Sequence, residues 1–184
     1  MTSDDELVTA ALDAAEGDTR AFDELVVRHQ GRILANCRYL SGSADDAHDL
    51  AQEVFVKAFF GLKRFQGRAK FGSWVQRIKV NHCLNHLRKR KGKSFLDVDD
   101  PALSGETELQ TPASPERDAG RRDMRERIRE VLDALPDTLR IPLIMRDLDG
   151  YAYQEIADSL GLGLSAVKMR IKRAREEFRR LYDE

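Results

Sequence analysis

Between Gly163 and Tyr182 the chain carries Lys168, Arg170, Lys172, Arg173, Arg175, Arg179 and Arg180 against Glu176 and Glu177. Seven cations and two acids leave a local charge of +5 in a chain whose net charge is −1. A nucleic-acid backbone is the natural partner of such a stripe, because each phosphate neutralised releases condensed counterions. Val167, Ile171, Ala174, Phe178 and Leu181 recur at threes and fours, which predicts a buried stripe with the cations on the outer face. Ahead of them come a short helix around Ile156-Ala157 and a turn at Gly161-Leu162-Gly163, with Ser165 expected as an N-cap. That is the order of a helix-turn-helix, whose second helix reads bases with its N-terminal side chains and holds phosphates with the rest. Lys168, Met169 and Lys172 are placed for base edges, and Arg170, Arg173 and Arg175 for phosphate or mixed contacts. A solvated basic face on a core helix has the same composition; the short helix and glycine turn in front favour DNA.

A second group runs from Gln66 to Arg88. Arg68 and Lys70 lie on a loop, Phe71 and Trp74 at the start of a helix, and Arg77, Lys79, Asn81, Asn85 and Arg88 along it. Aromatic, amide and cationic groups together meet the needs of single-stranded DNA: a stacking surface or pocket, hydrogen bonds to an exposed base edge, and charge along the backbone. Trp74 equally suits a core position that braces the loop. A third segment, Asp49 to Val56, gives its apolar members to a core and leaves Asp49, Gln52, Glu53 and Val56 outside, a mixed acidic, amide and apolar patch of the kind that binds protein. A solvated helix face is the alternative there.

His82 and His86 are spaced so that they could share one helical face, with Cys83 between them, as in some metal sites. No nearby carboxylate or second cysteine completes the set in sequence, so packing and solvent histidines are expected, with no metal and no cofactor. There is no phosphate-binding glycine loop and no nucleophile motif, and no catalysis is expected.

These groups need helices to hold them, and the apolar spacing supplies only helices. Leu7, Val8, Ala11 and Leu12 form a short stripe. A longer one contains Phe22, Leu25, Val26, His29, Ile33, Leu34, Cys37 and Leu40, broken by Ser41-Gly42-Ser43. Ser43 is placed to cap a third helix with Asp45 and Asp46 in its first turn and Ala47, Leu50, Ala51, Val54, Phe55, Ala58, Phe59 and Leu62 inward. A fourth, after the loop 66–70, turns Phe71, Trp74, Val75 and Ile78 inward and ends in Arg88-Lys89-Arg90-Lys91. Further on, Ile128, Val131, Leu132 and Leu135 end at Pro136, and Pro142 falls near a helix start or a kink.

The expected architecture is all-α, with two helical domains. Residues 1–93 form a four-helix bundle, 94–119 a linker, and 120–184 a helix-turn-helix domain. From Ser94 to Asp118, seven acidic residues against Arg117 alone leave six net negative charges, with Pro101, Pro112 and Pro115 and little periodicity. Its 25 residues could reach at most roughly 80 Å, about two turns of duplex at roughly 35 Å each. Of the 184 residues, 41 % are apolar, enough for a core in each domain. The acidic start and the absence of a long apolar run predict no targeting segment and no membrane insertion, and two cysteines suit a reducing, cytoplasmic location.

At the level of whole segments, the run DLAQEVFVKAFFGL (Asp49 to Leu62) resembles the polymerase-binding signature of extracytoplasmic-function sigma factors. FGSWVQRIKVNHCLNHLRKR (Phe71 to Arg90) resembles their promoter-melting region, and LPDTLRIPLIMRDLDGYAYQEIADSLGLGLSAVKMRIKRAR (Leu135 to Arg175) their upstream-element-binding domain. The resemblance covers both domains in the family's order and implies a sigma-two-like and a sigma-four-like domain. It implies that Asp49, Gln52, Glu53, Phe55 and Val56 meet the clamp helices of the largest subunit of bacterial core RNA polymerase, with its flap as a further contact. Gln66, Arg68, Lys70, Phe71, Trp74, Arg77, Asn81, Asn85 and Arg88 would take the melted single strand of the downstream element. Ser165, Lys168, Met169, Arg170, Lys172, Arg173 and Arg175 would bind the duplex upstream element. The acidic linker would thread toward the polymerase channels. An anti-sigma factor and a stress or envelope-type regulon are further implications.

The chain departs from the family's usual pattern at Ala152, where a Ser or Thr cap is usual, and at Ser165-Ala166 and Met169, which bear on promoter preference. The competing reading is a free-standing helix-turn-helix regulator that needs no polymerase. It accounts for residues 120–184 but gives the Asp49 patch and the Trp74 to Arg90 helix no task.

Overall fold

The computed structural model describes residues 2–92 and 119–184, without the side chains of 119–122. The expected linker, 94–119, lies outside the described residues but for Ala119, where the first helix of the second unit begins. Among the described residues every regular element is helical, and the chain divides into two compact units, Met1–Arg90 and Lys91–Glu184.

The first unit contains α1 (Asp4–Asp13), α2 (Arg20–Ser41), α3 (Ala44–Gly61), a 3-10 turn (Leu62–Arg64) and α4 (Phe71–Lys91). Helix α1 opens with a reciprocal cap: Ser3 Oγ accepts the Glu6 N–H at 3.2 Å, and the Glu6 carboxylate accepts the Ser3 N–H at 2.6 Å. Too short to be stable alone, α1 buries Leu7 and Val8 and is tied to α2 by Asp4. The Asp4 carboxylate lies 2.7 Å from His29 Nε2 and 3.2 Å from an Arg28 nitrogen, and Arg28 also donates to the Thr2 carbonyl at 2.7 Å. Leu12, placed in the buried stripe from spacing, is exposed at the fraying end of α1.

Helix α2 ends at Gly42, whose φ of +67° is a conformation that glycine adopts without strain, and its N–H reaches the Arg38 carbonyl at 3.0 Å. Ser43 caps α3 as the spacing predicts, accepting the Asp46 N–H at 3.2 Å. Of the α3 stripe, Ala47, Leu50, Ala51, Val54, Phe55 and Ala58 are buried. Phe59 is not: it lies partly exposed with its ring edge-on to Phe22, centroids 5.1 Å apart.

Around the start of α4, Phe71 packs its ring against Phe22 (6.5 Å), Phe65 (6.3 Å) and Trp74 (5.8 Å). The indole also lies 5.1 Å from Phe65 and covers Gly61, where an added Cβ would meet it at 3.4 Å. Each buried ring contributes about 1.5–3 kcal/mol, and together they hold the 65–70 loop between α3 and α4. Lys79, counted with the cations of α4 from sequence, is fully buried on the core face.

The second unit contains α5 (Ala119–Ala134), α6 (Asp137–Leu143), a π-helical turn (Ile144–Leu148), α7 (Tyr153–Leu160) and α8 (Leu164–Asp183). Pro142 sits inside α6, where it has no N–H to give the preceding turn. The backbone widens just beyond it, with the Asp149 N–H on the Ile144 carbonyl at 3.0 Å and the Tyr151 N–H on that of Met145 at 2.9 Å. The N-cap of α7, Ala152, offers no side-chain acceptor; Glu155 supplies the other half of a cap, accepting the Ala152 N–H at 2.9 Å. Gly161 at φ +71° closes α7. The cap of α8 is Gly163 and its first residue Leu164, so Ser165 stands inside the first turn and is not the N-cap expected.

The Asp4 contacts carry a measurable consequence. Burial would raise this carboxyl, but the hydrogen bonds and charges of His29 and Arg28 outweigh it and hold it below the usual carboxylate value. The contribution is therefore present at neutral pH and is lost as pH falls through the lowered native value. Asp4→Ala should cost about 1 kcal/mol in urea unfolding of the N-terminal unit at pH 7, with wild type and variant converging at acidic pH.

Candidate nucleic-acid interface

Helix α8 spends Val167, Ile171 and Ala174 on the core of the second unit. That rotation exposes Lys168, Met169, Lys172 and Arg173, with Ser165 beside them in the first turn, as one continuous surface. Met169 is 56 % exposed, an apolar side chain amid cations suited to a thymine methyl. Lys172 lies 3.9 Å from Glu176, with 70 % of its side chain exposed, a contact that leaves its ammonium available to solvent or phosphate.

One of the expected phosphate contacts is corrected, and a second has a partner within the protein. Arg170 is 7 % exposed and lies on the core side of α8, so its guanidinium is not presented to a duplex. Arg175 is occupied by Asp147 at the π-helical turn: Nε is 2.9 Å from Oδ2 and a terminal nitrogen 2.6 Å from Oδ1, a bidentate fork. The hydrogen bonds it donates to Asp147 hold this guanidinium still more firmly protonated. The same turn places Arg146 4.6 Å over the Tyr153 ring, with its guanidinium donating to the Tyr151 carbonyl at 2.7 Å. Asp147 and Arg146 were not singled out in the sequence, since 28 residues separate Asp147 from Arg175. Both work as braces for α7 and α8.

On α4 the buried set is Phe71, Val75, Gln76, Lys79, Val80, Cys83, Leu84 and Leu87. The opposite face carries Trp74, Arg77, Asn81, Asn85 and Arg88 at helical spacing, and Asn81 and Asn85 are exposed. Arg88 donates to Asn85 Oδ1 at 3.3 Å, orienting the amide. Gln66, Arg68 and Lys70 are exposed on the adjoining loop, which turns at Gly67 with φ +66°. Phe71 is corrected: fully buried, it cannot stack on a base, and Trp74, half-buried, is the ring at the surface.

On α3 the structure exposes Asp49, Gln52, Glu53 and Val56 on one side. Phe55 is corrected, since at 8 % exposure it belongs to the core. The apolar part of this face is instead Val56 at 52 % and Phe60 at 78 %, one turn apart, with Phe59 beside them at a ring distance of 5.6 Å from Phe60. Phe60 was missed in the sequence, although adjacent Phe59 and Phe60 cannot both turn toward one core.

The absence of a carboxylate near the α4 histidines is likewise corrected. His82 Nε2 lies 2.9 Å from Glu53 and His86 Nε2 3.5 Å from Asp46, which also takes Arg90 at 2.5 Å. Burial pushes the His82 pKa down, and Glu53 offsets part of it. Among the described residues no group of three or more His, Cys, Asp and Glu could hold a metal ion, and no helix is long and apolar enough to cross a membrane.

Residues 25–93 match the family described as Sigma-70 region 2, and residues 125–178 that described as Sigma-70, region 4. The RNA polymerase sigma-H factor of Pseudomonas aeruginosa is 36 % identical over 87 % of this chain and 85 % of its own. The ECF RNA polymerase sigma-E factor of Escherichia coli K12 is 34 % identical over 88 % of this chain and 86 % of its own. The chain belongs to the extracytoplasmic-function sigma factors. In fold, this sigma factor is similar to the sigma factor RpoE solved with the anti-sigma factor NepR from Bartonella quintana, at a TM-score of 0.59 and 24 % identity over 89 % of this chain and 98 % of that one.

The corrected sigma-four-like surface separates two kinds of arginine. Arg175→Ala and Asp147→Ala should each lower the stability of the C-terminal unit, with a coupling of about 0.5–1 kcal/mol in a double-mutant cycle. Arg173→Ala and Lys172→Ala should leave stability unchanged and each reduce the slope of log K against log salt by about 1 in duplex binding.

Proposed function

We propose that this sigma factor uses three separate surfaces to take bacterial core RNA polymerase to promoters and open them. The α3 face of Asp49, Gln52, Glu53, Val56 and Phe60 meets the clamp helices of the largest polymerase subunit. The α4 face of Trp74, Arg77, Asn81, Asn85 and Arg88, with the loop residues Gln66, Arg68 and Lys70, captures unstacked bases of the downstream element. The α8 face of Ser165, Lys168, Met169, Lys172 and Arg173 reads the duplex upstream element. Promoter opening then follows from the free energy of base capture, with no covalent step and no catalysis by this chain alone. The domain roles are polymerase binding and melting for 1–93, a tether for 94–119 and upstream recognition for 120–184, all in the cytoplasm. The regulon is of the stress or envelope type, and an anti-sigma protein restrains the factor, as the sigma-E relatives and the NepR complex of the similar fold suggest.

The observation that supports this most is the exposed α3 patch. A free-standing DNA-binding regulator has no use for a 78 % exposed phenylalanine beside an acidic and amide helix face, whereas a polymerase-bound factor does: a buried aromatic anchor with a polar rim is how protein interfaces gain most of their affinity. The test is run-off transcription with purified core polymerase on a promoter library. Start-site-specific transcripts should require the protein and fall at least tenfold with Gln52→Ala/Glu53→Ala or with Phe60→Ala, in parallel with lost core binding. Duplex-specific binding without any polymerase dependence would instead identify the free-standing regulator.

The α4 assignment has its own measurement. Asn81→Ala should retain core binding yet slow open-complex formation about tenfold or more, since a buried base-edge hydrogen bond contributes about 1–3 kcal/mol. Permanganate footprinting of the melted element reports it directly, and unchanged footprints would remove Asn81 from the site.

A further inference from the structure

Cys37 on α2 and Cys83 on α4 meet inside the N-terminal unit, with Sγ to Sγ at 3.8 Å across 46 residues of sequence. Both are fully buried, between Ile33 and Leu40 on the one helix and Val80 and Leu87 on the other. None of the three surfaces above uses them. Core packing alone calls for two small apolar side chains at these positions, and it does not call for two thiols in contact. A disulfide spans about 2.05 Å, so closure requires the two sulfurs to approach by under 2 Å.

We propose that Cys37 and Cys83 are an oxidisable pair, converted by hydrogen peroxide into an intramolecular disulfide that joins α2 to α4. One thiol loses its proton and its sulfur attacks a peroxide oxygen; the O–O bond breaks and water leaves, forming a sulfenic acid. The second sulfur then attacks the first, the S–O bond breaks, and a second water leaves with the remaining thiol proton. Two thiols are oxidised and one peroxide is reduced to two waters. Because reclosing of the bundle returns the partner thiol to contact, disulfide closure outruns further oxidation of the sulfenic acid. Because neither sulfur is exposed in the closed bundle, the first step proceeds from locally opened states and is slow until opening is promoted. The product covalently holds α4, whose outer face carries Trp74, Asn81 and Asn85, on α2. The thiol chemistry requires none of the promoter-binding roles.

The experiment uses the full-length reduced protein exposed to hydrogen peroxide in urea well below its unfolding midpoint. Samples are then unfolded in N-ethylmaleimide and analysed by mass spectrometry. Both alkylation sites should disappear together, with a Cys37–Cys83 linked peptide that dithiothreitol reverses and a raised thermal midpoint for the oxidised protein. The rate should climb with urea while the protein remains folded. Cys37→Ala should yield no linked peptide and leave Cys83 either alkylatable or carried to the sulfinic acid. The proposal is overturned if both thiols stay alkylatable under exposure that fully oxidises glutathione in the same tube. It is equally overturned if the products are sulfinic acids or linked dimers, or if the bridge forms only after global unfolding.

Discussion

Packing of α4 against the rest of its bundle is the constraint on which the N-terminal unit depends. A helix has one circumference, and α4 commits half of it to Phe71, Val75, Val80, Cys83, Leu84 and Leu87. Once that half is buried, the azimuth of Trp74, Asn81 and Asn85 is determined, because side chains three and four apart share a face. The rings of Phe22, Phe65 and Phe71 then set where α4 begins and hold the cationic loop before it. The ring that looked in sequence like a base-stacking group is thus the one that makes the stacking surface possible, and Trp74, wedged over Gly61, connects the two.

The same logic divides the cations of α8. A basic run read in one dimension treats each arginine as available, but folding assigns some to the protein. Arg170 is turned to the core, and Arg175 is consumed by Asp147 at the widened turn that Pro142 introduces. A bidentate ion pair across that turn ties α8 to the segment before α7, so the helix-turn-helix angle is held by charge as well as by Val167 and Ile171. In the first half of α8 the cations left exposed are a compact set, Lys168, Lys172 and Arg173, with Met169 among them.

Helix existence and the outward faces of α3, α4 and α8 were legible in sequence because they follow from a local period of threes and fours and from local signals, such as Ser43 before Asp46. The errors fall where a long-range partner decides. Asp147 for Arg175, Glu53 for His82, Asp46 for His86 and Cys37 for Cys83 all join residues on different helices, and no spacing rule reports such pairs. Phe55 and Phe71 were given surface roles by their membership in motifs, although their own apolar stripes already claimed them. At Phe55 and Phe71 burial followed periodicity rather than motif, as the cost of leaving a ring in water requires, whereas Trp74, also placed inward by its spacing, is only half-buried.

Near-neutrality of the whole chain gives the charge placement its meaning. With a net charge of −1, long-range attraction to a polyanion is weak, and on the proposed reading affinity for duplex rests on the cations that α8 leaves exposed. A small phosphate footprint gives modest binding that physiological salt readily weakens. Such a protein gains little by occupying DNA alone and depends on a second attachment to raise its effective concentration at the promoter. The exposed Val56 and Phe60 on α3 fit that dependence, since apolar burial is insensitive to salt where phosphate contacts are not. A weak DNA surface paired with a hydrophobic protein surface makes promoter binding conditional on the partner, which is the behaviour expected of a factor that selects start sites only when carried by polymerase.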